Sequence, residues 1–280
     1  MIPTYILAPS FNYHPDTSIC IGDIVQYPED PTKPLSSIPK AKLEKLVTSH
    51  FDYDNELSNQ NTQSLRGSVW ANFLEYASAR TGSGAADESL DEYTIRRLET
   101  IYFIKQPTDK EAAERVKEDL VQAAVNSGIL GKKPVFMITG LKVARGFQWT
   151  SKANSTKNVD GEVAAKFTPD VGAGTEYDYS RGNTVEKSSR TGQDIIFAYQ
   201  LHIITHKGWW LGAKKHVDIT LYKAPAAFLS DDKEGEEEDS VGMVEASESL
   251  IRTFDEELEV KTVSARNGDE ECVCLVLRDG

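Results

Sequence analysis

The chain has 280 residues, 39% of them hydrophobic and 27% charged, and carries a net charge of −13 at pH 7. That length buries a sizeable core in one large or two small domains, but no window approaches the roughly 18 to 20 apolar residues of a spanning helix, and the start Met1-Ile-Pro-Thr lacks the basic and apolar regions of a secretory leader. A soluble intracellular species is expected. Its three cysteines, Cys20, Cys272 and Cys274, are expected to be reduced, because an odd count with a Cys-x-Cys pair does not suit a disulfide framework.

In chain order, Pro39 to Thr48 reads as a helix opened by proline, with Leu43, Leu46 and Val47 inward and Lys40, Lys42 and Lys45 outward. Those lysines are either a lipid-facing patch or an ordinary solvated face. Ser68 to Ala79 is ambiguous: Trp70, Phe73, Leu74 and Ala77 suit a helix, while its β-formers suit a strand. Residues 82 to 89 read as a loop, and Ile101 to Ile104 as a strand. Thr108 followed by Glu111 is a capping-box signature, which predicts one helix from there to Asn126, stopped at Ser127-Gly128.

The run Pro134 to Phe147 then leads into alternation. Val159, Gly161, Val163, Ala165, Phe167, Pro169 and Val171 fall on one face and Asp160, Glu162 and Lys166 on the other, which is the period of a strand. After a Gly/Tyr/Ser-rich stretch from Gly172 to Arg190, the alternation resumes with Ile195, Phe197, Tyr199, Leu201 and Ile203. The two halves make an oversized hairpin. His202, His206 and nearby His216 have a metal-like composition, but no acidic or cysteine ligand sits at a suitable spacing, so polar-face histidines are expected rather than zinc. Trp209 and Trp210, flanked by Lys207, Lys214 and Lys215, suit a membrane headgroup layer; a loop whose indoles cover the core fits them equally. There is no phosphate-binding loop, no Ser/His/Asp or Cys/His arrangement and no paired carboxylates. Neither an enzyme nor a bound cofactor or metal is expected, and nucleic acid is not an expected partner.

The charge is unevenly distributed. Residues 230–280 hold 17 acidic and 5 basic side chains, against 27 and 26 in residues 1–229. The acidic run Asp231 to Asp239 marks a linker and a boundary there. Beyond it, Glu245 to Phe254 reads as a short helix, and Leu258 to Val263 with Cys272 to Leu277 as a hairpin turned at Asn267-Gly268. This tail is either a disordered acidic end or a cover that shields basic surface on the main domain.

Taken together, the order of Val135-Phe-Met-Ile-Thr-Gly-Leu-Lys-Val-Ala-Arg-Gly146, the amphipathic excursion 147–192 and the return strand Asp194 to Ile203 resembles the pore-forming domain of gasdermins, the compact fungal members in particular. The entry segment Tyr5 to Phe11, Ile19 to Val25 and the Pro28 to Pro34 turn resemble that family's first strand pair, so the resemblance covers roughly residues 1–225. It implies an α+β fold, a twisted mixed or antiparallel sheet with packed helices, in a pore-forming domain at 1–229 followed by a short acidic C-terminal segment at 230–280.

The resemblance also implies a function. The protein would bind anionic phospholipid, self-oligomerise and permeabilise the plasma membrane to cause regulated cell death, moving there from the cytoplasm. In that reading Lys40, Lys42, Lys45, Lys207, Trp209, Trp210, Lys214 and Lys215 meet lipid, and Val159, Val163, Ala165, Phe167, Val171, Phe197, Tyr199 and Leu201 insert. Segment 68–104 holds the position of a first refolding element and 147–203 that of a second. The family's mammalian members carry a large helical inhibitory domain, which 50 residues do not replace. Release by proteolysis near the linker, or by meeting a partner allele, is the implied trigger. A non-lytic binding or scaffold protein on the same fold is the alternative.

Overall fold

The run at Val135 becomes the centre of a sheet. A computed structural model describes residues 2–53, 57–58, 65–80, 90–128, 132–154, 184–189, 193–206, 241–255, 258–268 and 270–278. In chain order the elements are β1 (Thr4–Leu7), β2 (Ile24–Val25), β3 (Pro34–Ser36), α1 (Lys40–Leu43), β4 (Val47–Tyr53), β5 (Leu57–Ser58), α2 (Val69–Arg80), β6 (Leu90–Ile95) and β7 (Arg97–Phe103). Then come α3 (Asp109–Val116), α4 (Asp119–Val125), β8 (Val135–Arg145), β9 (Gln148–Asn154), β10 (Thr184–Ser189) and β11 (Ile195–His206). The last are β12 (Val241–Glu245), α5 (Glu248–Phe254), β13 (Glu259–Asn267) and β14 (Glu270–Arg278). The chain is thus α+β, rich in sheet. No helix among the described residues is long and apolar enough to cross a membrane.

Ten strands form one sheet, in the order β13-β14-β1-β11-β8-β2-β3, with β12 also on β11 and with β7 on β8 carrying β4. Four more form a second sheet, β10-β9-β6-β5. β8 and β11 are covered on both faces, so they read as near-continuous apolar runs; β8 is buried from Val135 through Ala144. One face carries a cluster of Ile6, Leu141, Val143, Tyr199, Leu201, Ile203, Leu275 and Leu277 with Leu250 and Ile251 of α5. The opposite face holds two clusters. One centres on α2, with Tyr5, Leu7, Phe197, Cys274 and Val276; the other centres on α3 and α4, with Val135, Met137 and Ile204.

Several expectations need correction. The single helix at 108–126 is two, broken at Lys117-Glu118, although its capping box is present with Glu111 N donating to Thr108 Oγ1 at 3.3 Å and Thr108 N to Glu111 Oε2 at 2.8 Å. The helix at 39–48 lasts one turn, because Val47 already pairs with Phe103 in the sheet. The ambiguous segment at 68–79 is helical. β11 does not present Ile195, Phe197, Tyr199, Leu201 and Ile203 on one face: an extra residue at Phe197, between Ile196 and Ala198 in the register, puts Ile195 and Phe197 on one face and Tyr199, Leu201 and Ile203 on the other.

The division at residue 230 does not divide the sheet. The hairpin β13–β14 forms where the sequence placed it, around Gly268 at φ +63°, but it docks as part of the main sheet. β14 runs parallel to β1, with Thr4 opposite Val273 and Ile6 opposite Leu275, and β12 pairs with β11 from His202 to His206. Its inward residues Ala265, Cys272, Cys274 and Val276 lie in the α2 cluster. Their contact is with apolar surface of α2 and β1, not with a basic patch. All three cysteines are free.

Candidate membrane-inserting site

Four neighbouring strands of the large sheet lie in the order β4-β7-β8-β11, and the four strands of the small sheet repeat it as β5-β6-β9-β10. Each strand of the small sheet is the sequence neighbour of its counterpart, so the same four segments of chain supply both sheets in the same order. Residues 59–89 connect the first two at the far end, and residues 155–183 connect the last two at the same end. Two long excursions therefore leave one edge of one four-stranded meander.

The junction between the sheets is built from local chemistry. Gly146 sits at φ +66°, and a Cβ there would lie 3.2 Å from Arg96 Cβ, so a side chain would be both strained and crowded. The Arg145 guanidinium joins three of the strands, donating to Glu99 Oε2 at 2.6 Å and Asp194 Oδ2 at 2.8 Å. The second oxygen of Asp194 accepts the Gly146 amide at 2.8 Å. Phe147, the next residue, stacks on Phe11 with centroids 5.4 Å apart and planes 9° from parallel. Charge pairs at Arg145 and stacked rings at Phe147 thus flank Gly146 in the chain.

The first excursion contains α2, which lies over the inner face of the large sheet. Val69, Trp70, Phe73, Tyr76 and Ala77 are buried there against β1, Phe197 and the β13–β14 hairpin. Trp70 meets Phe197 edge-on at 5.2 Å, and Phe11 meets Phe73 edge-on at 5.2 Å. Deeper in the same face lies Lys142, whose ammonium has no exposure and donates to Thr100 Oγ1 at 2.7 Å, Asn267 Oδ1 at 2.7 Å and Asp52 Oδ2 at 3.0 Å. Its charge also lies 4.8 Å from the centre of the Tyr5 ring. Burial pushes the Lys142 pKa down and Asp52 opposes this. The same burial raises Tyr5.

The residues proposed from sequence are distributed as follows. Phe197, Tyr199 and Leu201 are 1% exposed, in the centre of the large sheet, Phe197 on the α2 face and the other two on the opposite face. Tyr199 donates its hydroxyl to Pro28 O at 2.7 Å. In this form they are core residues. Lys40, Lys42 and Lys45 are exposed, and Lys40 pairs with Asp16 at 3.2 Å. Val159, Val163, Ala165, Phe167, Val171, Lys207, Trp209, Trp210, Lys214 and Lys215 lie outside the described residues, as does His216. His202 shares a 2.8 Å hydrogen bond between its Nδ1 and Thr139 Oγ1, and burial lowers its pKa. Among the described residues no group of three or more His, Cys, Asp or Glu could hold a metal ion.

Sequence reasoning missed the Arg145–Glu99–Asp194 clamp and the Lys142 cluster. A signal for the second existed: a lysine inside an otherwise apolar run covered on both faces has to find buried acceptors. No protein-family model matches the chain, and comparison with curated proteins finds no match.

Proposed function

We propose that this chain is a gasdermin-like pore-forming protein that binds anionic membrane lipid, self-associates and permeabilises the membrane, causing cell death. The observation that supports this reading is the meander with its two excursions at one end. In lipid, unpaired backbone amides are prohibitively costly, so strands cross only as a closed barrel. A hairpin that crosses needs two strands of about 9 to 11 residues each. Connections 59–89 and 155–183 each contain enough chain, and they extend strands already hydrogen-bonded as neighbours. Insertion from such a scaffold lengthens existing ladders instead of nucleating new ones. One copy supplies too few strands to close a wide barrel, hence the self-association.

Before insertion the first excursion is held back by the docking of α2. The segment after residue 240 provides much of its seat, so proteolysis in the acidic run, or a partner allele competing for the same surface, would act by loosening that seat. Dye release from vesicles tests the proposal: the full chain, alone and after cleavage between residues 231 and 239, is added to anionic and to neutral vesicles. Release from anionic vesicles, abolished by Val163→Asp and by Phe167→Asp because each puts a charge toward hydrocarbon, is the expected result. Charge reversal of Lys207, Lys214 and Lys215 together should weaken sedimentation with anionic vesicles. Absence of release from either preparation, with the protein folded, overturns the proposal.

A further inference from the structure

The two apolar clusters on the inner face of the large sheet are separated by a belt of polar side chains. Thr139 and His202 are joined at 2.8 Å, Gln200 Nε2 donates to Glu245 Oε1 at 2.8 Å, and Thr4 N donates to the same oxygen at 2.9 Å. Lys142 continues the belt with Thr100, Asp52 and Asn267. To one side lie α2 and the β13–β14 hairpin; to the other lie α3 and α4. Apolar packing is therefore not continuous across this line.

α2 and the hairpin, by contrast, share one cluster and several backbone ties. Arg266 N donates to Gly67 O at 2.8 Å, Ser68 forms a parallel bridge with Arg266, and Tyr76 donates its hydroxyl to Leu277 O at 3.4 Å. If either left alone, these ties would break and the cluster that α2 shares with Cys272 and Val276 would be divided. At the hairpin tip, Asn267 accepts from Lys142, which is anchored in β8.

We propose that α2 and the β13–β14 hairpin open as one cooperative unit, separating along the polar belt, and that the contact between Lys142 and Asn267 is its latch. Opening breaks the short parallel ladder between β14 and β1, parts α2 from Phe197 and the hairpin's Leu275 and Leu277 from the cluster on the other face, and leaves α3, α4 and the β8–β11 pair in place. Its link to pore formation, the release of the first excursion, rests on the proposed function. The opening itself does not, so hydrogen exchange of the full chain without lipid tests it apart from any lytic activity.

Asn267→Leu removes an acceptor from a buried ammonium and should speed exchange in residues 69–80 and in 258–278 together, by roughly tenfold. Phe73→Leu, a change confined to α2, should speed both segments by a common factor, because coupling between two elements is reciprocal. In both variants residues 109–125 should exchange as in the parent chain. The inference is overturned if Phe73→Leu loosens α2 but not the hairpin, if Asn267→Leu loosens the hairpin but not α2, or if α3 and α4 loosen equally in either variant.

Discussion

Lys142 illustrates how one residue can set the tolerance of its whole neighbourhood. A fully buried ammonium costs several kcal/mol of desolvation, which its three acceptors offset only while all remain in place. Replacing it with methionine leaves Asp52, whose side chain is 11% exposed, without its buried partner, although His50 Nε2 remains 3.0 Å from the other carboxylate oxygen. Lys142→Met should therefore destabilise by about 3 kcal/mol in urea unfolding, and adding Asp52→Asn should recover part of that loss, because the pair is coupled. Gly146 makes a simpler demand. Its φ of +66° and the nearby Arg96 side chain predict that Gly146→Ala lowers stability by about 1 to 2 kcal/mol. Arg96→Ala should recover only the small part due to the guanidinium, since the Arg96 Cβ contact and the backbone penalty both stay; thermal unfolding of the single and double variants checks this.

Among the elements, those whose signals are local were legible in the sequence. The α3 cap is an example: Thr108 and Glu111 satisfy each other's backbone amides, an arrangement three residues of sequence specify. Thr108→Ala should cost about 1 kcal/mol. Glu111, held below its usual carboxylate pKa by the Thr108 backbone and then by its hydroxyl, contributes stability that is fully present above the unfolded pKa of about 4.3. That contribution is lost as pH falls through the depressed folded value, so the difference between parent and Glu111→Gln in urea should vanish in that acidic window. The turn at Gly268 and the short α5 were legible for the same local reason. The identity of α2 was not, since the helical spacing of Trp70, Phe73, Leu74 and Ala77 competes with the β-forming composition of the segment, and the deciding partners, Phe197 and Cys274, are far away in the chain. β11 misled because the bulge at Phe197 resets the face of every residue beyond it, and because a strand covered on both sides does not alternate.

For the molecule as a whole, the acidic composition after residue 230 suggested a separable tail, whereas β12, β13 and β14 complete the main sheet. Composition reports hydration, and partner choice across some 270 residues leaves no local trace. Cutting the chain and removing its end should consequently differ. After cleavage between residues 231 and 239, the fragment beginning there should co-elute with the body in gel filtration, held by the β12–β11 and β14–β1 ladders. A chain ending at residue 257 should instead bind hydrophobic dye and aggregate, because Tyr5, Trp70 and Phe73 lose their cover. Equal behaviour of the two preparations would show that the hairpin is dispensable. At the candidate site the alternation read at Val159–Val171 lies outside the described residues, and the kinship of the two excursions appears only when the strand orders of the two sheets are compared.

The parallel pairing of Thr4–Ile6 with Val273–Leu275 also governs how the protein is made. β1 leaves the ribosome well before β14, which at roughly 5–20 residues per second is synthesised tens of seconds later. Throughout that interval one edge of β1 is unpaired and the seat for α2 is unfinished. Joining such distant segments carries a loop-closure cost that slows folding and prolongs exposure. A newly made chain should therefore engage chaperones for the whole of its synthesis, and its yield in a cell should depend on the rate at which translation reaches the final strand.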